Sequence, residues 1–139
     1  MIIAVVDGQG GGIGRILVEK LRHELGPDCW IIGLGTNAVA TSVMLKAGCN
    51  EGASGENAVA RTVSQADIVV GSVAIIAANS YCGELTPRMA EAVASARALK
   101  VLLPLNRCGI ELSGVIDEPL PIQVERLVSR VREIYDNQK

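Results

Sequence analysis

Aromatic side chains are almost missing from this chain of 139 residues, which has one Trp, two Tyr and no Phe. Proteins that hold single-stranded nucleic acid stack bases on aromatic rings, so that mode of binding is excluded and the core must be aliphatic. Basic runs are missing too. Lys and Arg number 13 against 15 Asp and Glu, a net charge of −2, which argues against nucleic acid and anionic membranes as partners. The longest uncharged runs, residues 29–45 and 68–83, fall short of the roughly 20 apolar residues that cross a bilayer. Histidine occurs once, as His23 on the polar side of a helical pattern, and reads as a solvated surface residue. The four cysteines, Cys29, Cys49, Cys82 and Cys108, form no C-x-x-C pair. Neither a zinc site nor a disulfide framework is therefore expected, and no metal ligands are assigned. The chain enters an apolar strand with no basic segment before it, so no secretory signal is expected. The predicted location is cytoplasmic, with reduced thiols.

What is present is aliphatic and regular. Hydrophobic residues make up 49% of the chain, enough for one packed core, and the length suits a single domain over residues 1–139. Residues 2–6 (Ile-Ile-Ala-Val-Val) form a short, uncharged, β-branched run that suits a strand buried on both faces. From Arg15 the period becomes helical, with Ile16, Leu17, Leu21 and Leu25 on one side and a stop at Gly26-Pro27. Residues 30–33 give a second strand. Thr36 and Asn37 offer N-cap chemistry for an Ala-rich helix ending at Gly48. A short third strand falls within 51–55, a helix within 56–65, and a fourth strand over 67–71. Residues 72–81 fit a helix or a long loop equally. Thr86-Pro87 starts a helix that runs to about Leu99. Residues 100–104 form a fifth strand, residues 110–116 offer a sixth at an edge, and a last amphipathic helix begins at Pro121. Alternating β and α elements predict an α/β, Rossmann-like three-layer sandwich. Its sheet is mainly parallel, with five or six strands in the order 3-2-1-4-5 and residues 2–6 at its centre.

The chain is organised around Asp7, Gly8, Gln9, Gly10, Gly11, Gly12, Ile13 and Gly14, set between the first strand and the first helix. Glycines let backbone N–H groups approach a ligand, and the helix N-terminus adds unpaired donors and the positive end of a dipole. That chemistry suits a phosphate. The spacing G-x-G-x-x-G fails at Ile13, and the P-loop fails for want of its lysine and hydroxyl; G-x-x-x-G-x-G is met by Gly8, Gly12 and Gly14. In such sheets ligands lie beyond the carboxyl ends of the strands. Those loops supply small amides and hydroxyls: Gln9, Thr36, Asn37, Ser54, Asn57, Asn79, Ser80 and Asn106. They suit ribose or amide groups, although each also suits a helix cap. The end of the second strand carries no carboxylate for the adenosine ribose, which favours NADP slightly over NAD. Asp7 has three available roles. It accepts N–H bonds from its own turn, or it shares a magnesium ion with the nucleotide's phosphates, or it binds a ribose hydroxyl.

With the residues quoted, the segment from Ile3 to about Gly35 resembles the short-chain dehydrogenase/reductase family, whose fingerprint reads T-G-x-x-x-G-I-G before a helix. Asp7 replaces the threonine. The resemblance implies a dinucleotide-binding Rossmann fold. The family's Tyr-x-x-x-Lys is matched only by Tyr135 and Lys139 at the chain's end, and its Asn-Asn-Ala-Gly is replaced by Gly71, Ser72, Val73 and Ala74. The whole chain also resembles a small group of functionally uncharacterised bacterial proteins. That likeness is carried by residues 5–14, by 35–41 and by Leu105, Asn106, Arg107, Cys108 and Gly109; it implies the fold and no activity.

No catalytic constellation emerges. Cys82 and Cys108 lie on ligand-side loops without a histidine to activate them, and Glu56 and Glu84 are acid–base candidates that also suit helix starts. The expected function is a nucleotide- or dinucleotide-binding protein that binds or senses rather than turns over a redox substrate. Alternatives are a small enzyme, either a reduced dehydrogenase or one using Cys108, and an assembly subunit whose glycine turn is structural. The charge-poor runs predict a homodimer, with its contact on the second helix or on residues 72–81.

Overall fold

The computed structural model describes residues 1–105 and 108–138. In chain order it contains β1 (Ile2–Asp7), α1 (Gly12–Leu25), β2 (Trp30–Gly35), α2 (Ala38–Ala47), β3 (Glu51–Ser54) and α3 (Glu56–Val63). There follow β4 (Ile68–Ser72), a 3-10 turn (Val73–Ile76), α4 (Pro87–Ser95), β5 (Leu99–Leu103) and α5 (Leu120–Asn137). The five strands form one parallel sheet in the order β3-β2-β1-β4-β5. The uncharged run that starts the chain is its centre: Val5 sits opposite Gly33 on one side and Val70 on the other.

Alternation along β1 sends its side chains into two cores. Ile3 and Val5 join Leu17 and Leu21 of α1, Met44 of α2, and Leu127 and Val131 of α5 on one face. Ala4 and Val6 join Val59 of α3, Leu85, and Met89 and Val93 of α4 on the other. No helix among the described residues is long and apolar enough to cross a membrane. Trp30, the only indole, opens β2 at the amino edge of the sheet and is 43% exposed.

The expected caps are formed. Asn37 Oδ1 accepts the Ala40 N–H at 2.9 Å to start α2, and Thr86 Oγ1 accepts the Met89 N–H at 3.2 Å to start α4. Three local features differ from the sequence reading, the first being that α4 stops at Ser95 and Leu99 opens β5 instead of ending the helix. Helix α1 begins at Gly12 rather than near Arg15, because Gly11 turns the chain at φ +74° and the glycines themselves form the first helical turn. Residues 110–116 form no sixth strand. Gly109 and Gly114 take positive φ on either side of most of that stretch, and a turn joins the Val115 N–H to the Leu112 carbonyl.

Candidate functional site

Three connections converge beyond the carboxyl ends of β1, β2 and β4: the glycine loop, Thr36 and Asn37, and residues 77–86. Asp7 closes the first of them on itself. Its Oδ1 accepts the Gly8 N–H at 2.8 Å and its Oδ2 accepts the Gly14 N–H at 2.7 Å, with only 2% of the residue exposed. Of its three possible roles, acceptance within its own turn is the one present in this structure. The Gly11 N–H bonds the Gly8 carbonyl at 3.0 Å. The N–H groups of Gly10, Gly12 and Ile13 have no hydrogen-bond partner among the described residues.

Residues 77–86 fold into a compact turn closed by the Asn79 N–H on the Leu85 carbonyl at 2.7 Å and pinned by the fully buried Leu85 side chain. Glu84 reaches from it to the other two connections. Its Oε1 accepts from Thr36 Oγ1 at 2.6 Å, Asn37 Nδ2 at 2.8 Å and the Gln9 N–H at 2.9 Å. The Thr36 hydroxyl, followed by the Gln9 N–H, holds this carboxyl below its ordinary value. A carboxylate therefore does stand at the end of β2, supplied by a distant part of the chain. Tyr81 lies against the glycine loop: a Cβ on Gly8 would come within 2.9 Å of its ring, and its hydroxyl is 3.2 Å from Ser72 Oγ. Sequence reasoning missed Tyr81. The available signal was an aromatic residue on a ligand-side loop in a chain with so few.

The structure gathers Gln9, Asn79 and Ser80 around a pocket of about 280 Å3, together with Tyr81, Cys82 and Cys108. Gln9 Nε2 lies 3.6 Å from Cys82 Sγ, and the buried Ser80 hydroxyl donates to the Ala74 carbonyl at 2.6 Å. Ser54 is not brought in; its hydroxyl donates to Thr41 Oγ1 at 2.7 Å, tying the end of β3 to α2. Asn106 lies outside the described residues. Gln9, Asn79, Tyr81, Cys82 and Cys108 all take positive φ, a conformation that strains non-glycine backbone and clusters at functional sites. Tyr135 belongs to the far end of α5, where Arg132 pairs with Glu24 at the end of α1 at 2.9 Å, on the amino side of the sheet. Lys139, its expected companion, lies outside the described residues. No group of three or more His, Cys, Asp or Glu side chains among the described residues is placed to hold a metal ion.

An open parallel sheet with a glycine turn at the strand-order reversal defines the Rossmann-like α/β class. Residues 2–136 match the model of a domain of unknown function, DUF3842, and the chain belongs to that family. No curated protein and no solved structure gives a match.

Proposed function

We propose that the protein binds a nucleotide at the glycine loop, as a binding or sensing module without redox turnover. Gly10 and Gly12 carry this reading. Gly8, Gly11 and Gly14 are demanded by the fold, because a Cβ on any of them would press on Tyr81, Ala40 or Met44. At Gly10 and Gly12 an added Cβ meets nothing within 4 Å, and neither residue takes positive φ. Glycines that the fold does not require stand beside three unpartnered N–H groups at the start of a 14-residue helix. Close approach of a phosphate to the backbone requires that combination.

Asp7 limits where the phosphate sits. Like charges about 4 Å apart repel by roughly 4 kcal/mol at an effective dielectric near 20. The phosphate therefore takes the outer N–H groups of Gly10, Gly12 and Ile13, while Asp7 keeps Gly8 and Gly14. A magnesium ion arriving with the nucleotide would be held by phosphate oxygens. Ribose hydroxyls face Glu84, Thr36 and Asn37. A 2′-phosphate there would meet the Glu84 carboxylate, which favours NAD over NADP and reverses the preference drawn from the missing acid. The pocket of about 280 Å3 beside Asn79 and Ser80 is below the usual range for a whole drug-sized ligand and takes one terminal group. The setting is a reducing cytoplasm, which keeps the four thiols free.

Calorimetry with NAD, NADP and ATP, with and without magnesium, tests the reading. At least one nucleotide is expected to bind the wild type, and Gly12→Val is expected to lose that binding with its melting temperature retained. Equal affinity in both proteins, or no binding by the wild type, refutes it. Oxidation of NADH or NADPH over a panel of carbonyl compounds is expected to be absent, because no tyrosine–lysine pair among the described residues faces the loop; turnover lost in Tyr135→Phe would overturn that part.

A further inference from the structure

The four cysteines separate into two pairs. Cys29 is buried and Cys49 half-buried, whereas Cys82 and Cys108 are exposed. The exposed two lie on different connections, Cys82 within residues 77–86 and Cys108 after β5. Both nevertheless line the same pocket of about 280 Å3, beside Gln9, Asn79 and Ser80. Gln9 Nε2 stands 3.6 Å from Cys82 Sγ, so that sulfur faces the glycine loop.

The two thiols are presented in the same way. Each cysteine takes a positive φ, +56° at Cys82 and +59° at Cys108. Each is followed by a glycine that also does, Gly83 at +90° and Gly109 at +69°. A left-handed conformation is costly for a residue with a Cβ, and the chain adopts it at both cysteines that share the pocket. The chemistry open to such a pair is narrow. A hydrolase of the cysteine–histidine kind needs a base beside the thiol, and the single histidine, His23, lies in the last turn of α1. A zinc site needs further ligands, and no group of three or more His, Cys, Asp or Glu among the described residues is placed to supply them. Two thiols by themselves suffice for exchange with a disulfide.

We infer that Cys82 and Cys108 are a redox modification site, joined reversibly by a disulfide when a low-molecular-weight disulfide such as oxidised glutathione is supplied. One cysteine, as its thiolate, attacks a sulfur of the small disulfide, forming a mixed disulfide and expelling one small thiolate. The other cysteine's thiolate then attacks the protein sulfur of that mixed disulfide, closes the Cys82–Cys108 bond and expels the second small thiolate. Two protein thiols are oxidised, the small disulfide is reduced to two thiols, and the cysteines' protons pass to them. The bond ties the segment after β5 to residues 77–86 across the pocket. Disulfides between strained, exposed positions are the readily reduced ones, so excess small thiol reopens it. The inference concerns the thiols alone and stands whether or not a nucleotide binds.

The test equilibrates the full chain, without air, in graded mixtures of reduced and oxidised glutathione, then quenches with acid, unfolds and alkylates. Alkylatable thiols are expected to fall from four to two as the mixture turns oxidising, and to return to four in excess reduced glutathione. Mass spectrometry of the digest is expected to find the peptides of Cys82 and Cys108 joined, in a yield independent of protein concentration. In Cys108→Ser, glutathione added at Cys82 is expected to persist at least tenfold longer than in the wild type. Wild-type protein that carries glutathione on both cysteines without the joined peptide overturns the proposal, as does one that keeps four thiols throughout. A bond to Cys29 or Cys49, or one between two chains whose yield rises with concentration, also overturns it, and none of these outcomes needs a variant. Equal persistence of glutathione in the wild type and a folded Cys108→Ser overturns it too.

Discussion

At Gly14 an added methyl group would stand 2.6 Å from Met44 Sδ and 3.0 Å from Asp7 Cβ, whereas at Gly12 it would meet no atom within 4 Å. Gly14→Ala is therefore expected to destabilise the fold by about 1–3 kcal/mol through overpacking. Gly12→Ala is expected to leave stability unchanged or raise it by about 0.4–1 kcal/mol, by restricting the unfolded chain. Denaturant melts of the two variants check both. The glycine spacing was legible as a motif, but not which glycines the fold needs, because Met44 and Tyr81 decide that from far along the chain. The cysteines divide in a similar way. Burial pushes the Cys49 thiol up to about 12 and raises that of Cys29, with Arg22 opposing both shifts. Cys82 and Cys108 are exposed. A thiol–disulfide reagent at pH 8 is expected to modify two thiols rapidly in the folded protein, Cys82 and Cys108, and the other two only on unfolding. Rapid labelling of Cys49, located by peptide mass spectrometry, would contradict this.

Residues 77–86 show what an element's sequence conceals. The strands and long helices were legible because their apolar periods are local. This segment has no period, and its role depends on Glu84 reaching Gln9, Thr36 and Asn37 across the sheet's carboxyl edge. Glu84 was visible only as a candidate acid or base, and its tethering role needs the fold to bring those donors together. The start of α1 was misjudged for the same reason, since Asp7 accepting from Gly14 is a tertiary cap and not a sequence-adjacent one. The tether has a pH signature. Because the folded-state pKa of Glu84 is lowered from an ordinary 4.5, its stabilising contribution is complete above that value and disappears as pH falls through the lowered one. The stability gap between wild type and Glu84→Gln, on the order of 1 kcal/mol, is expected to be full at neutral pH. It should close in strongly acidic solution. A gap that widens on acidification, followed by thermal melts across pH, would refute the tether.

At the scale of the whole molecule, strand order and parallel direction were legible because consecutive apolar runs separated by helices leave few right-handed arrangements. The surface was less so. On α2, Val39 is 62% exposed and Leu45 is also exposed, and Lys46 is that helix's only charge. Light scattering at tens of micromolar is expected to give a dimer mass that Val39→Glu reduces to the monomer; a monomeric wild type would count against this. Trp30 adds a spectroscopic consequence. The sole indole sits at the amino edge of the sheet, already wetted, while the glycine loop occupies the opposite edge. Its emission should therefore stay nearly constant when the loop is filled and should shift little even when the chain melts. The chromophore beside the loop is the Tyr81 phenol resting on Gly8, so occupancy should be read in tyrosine absorbance and near-ultraviolet ellipticity, where the indole is silent to it.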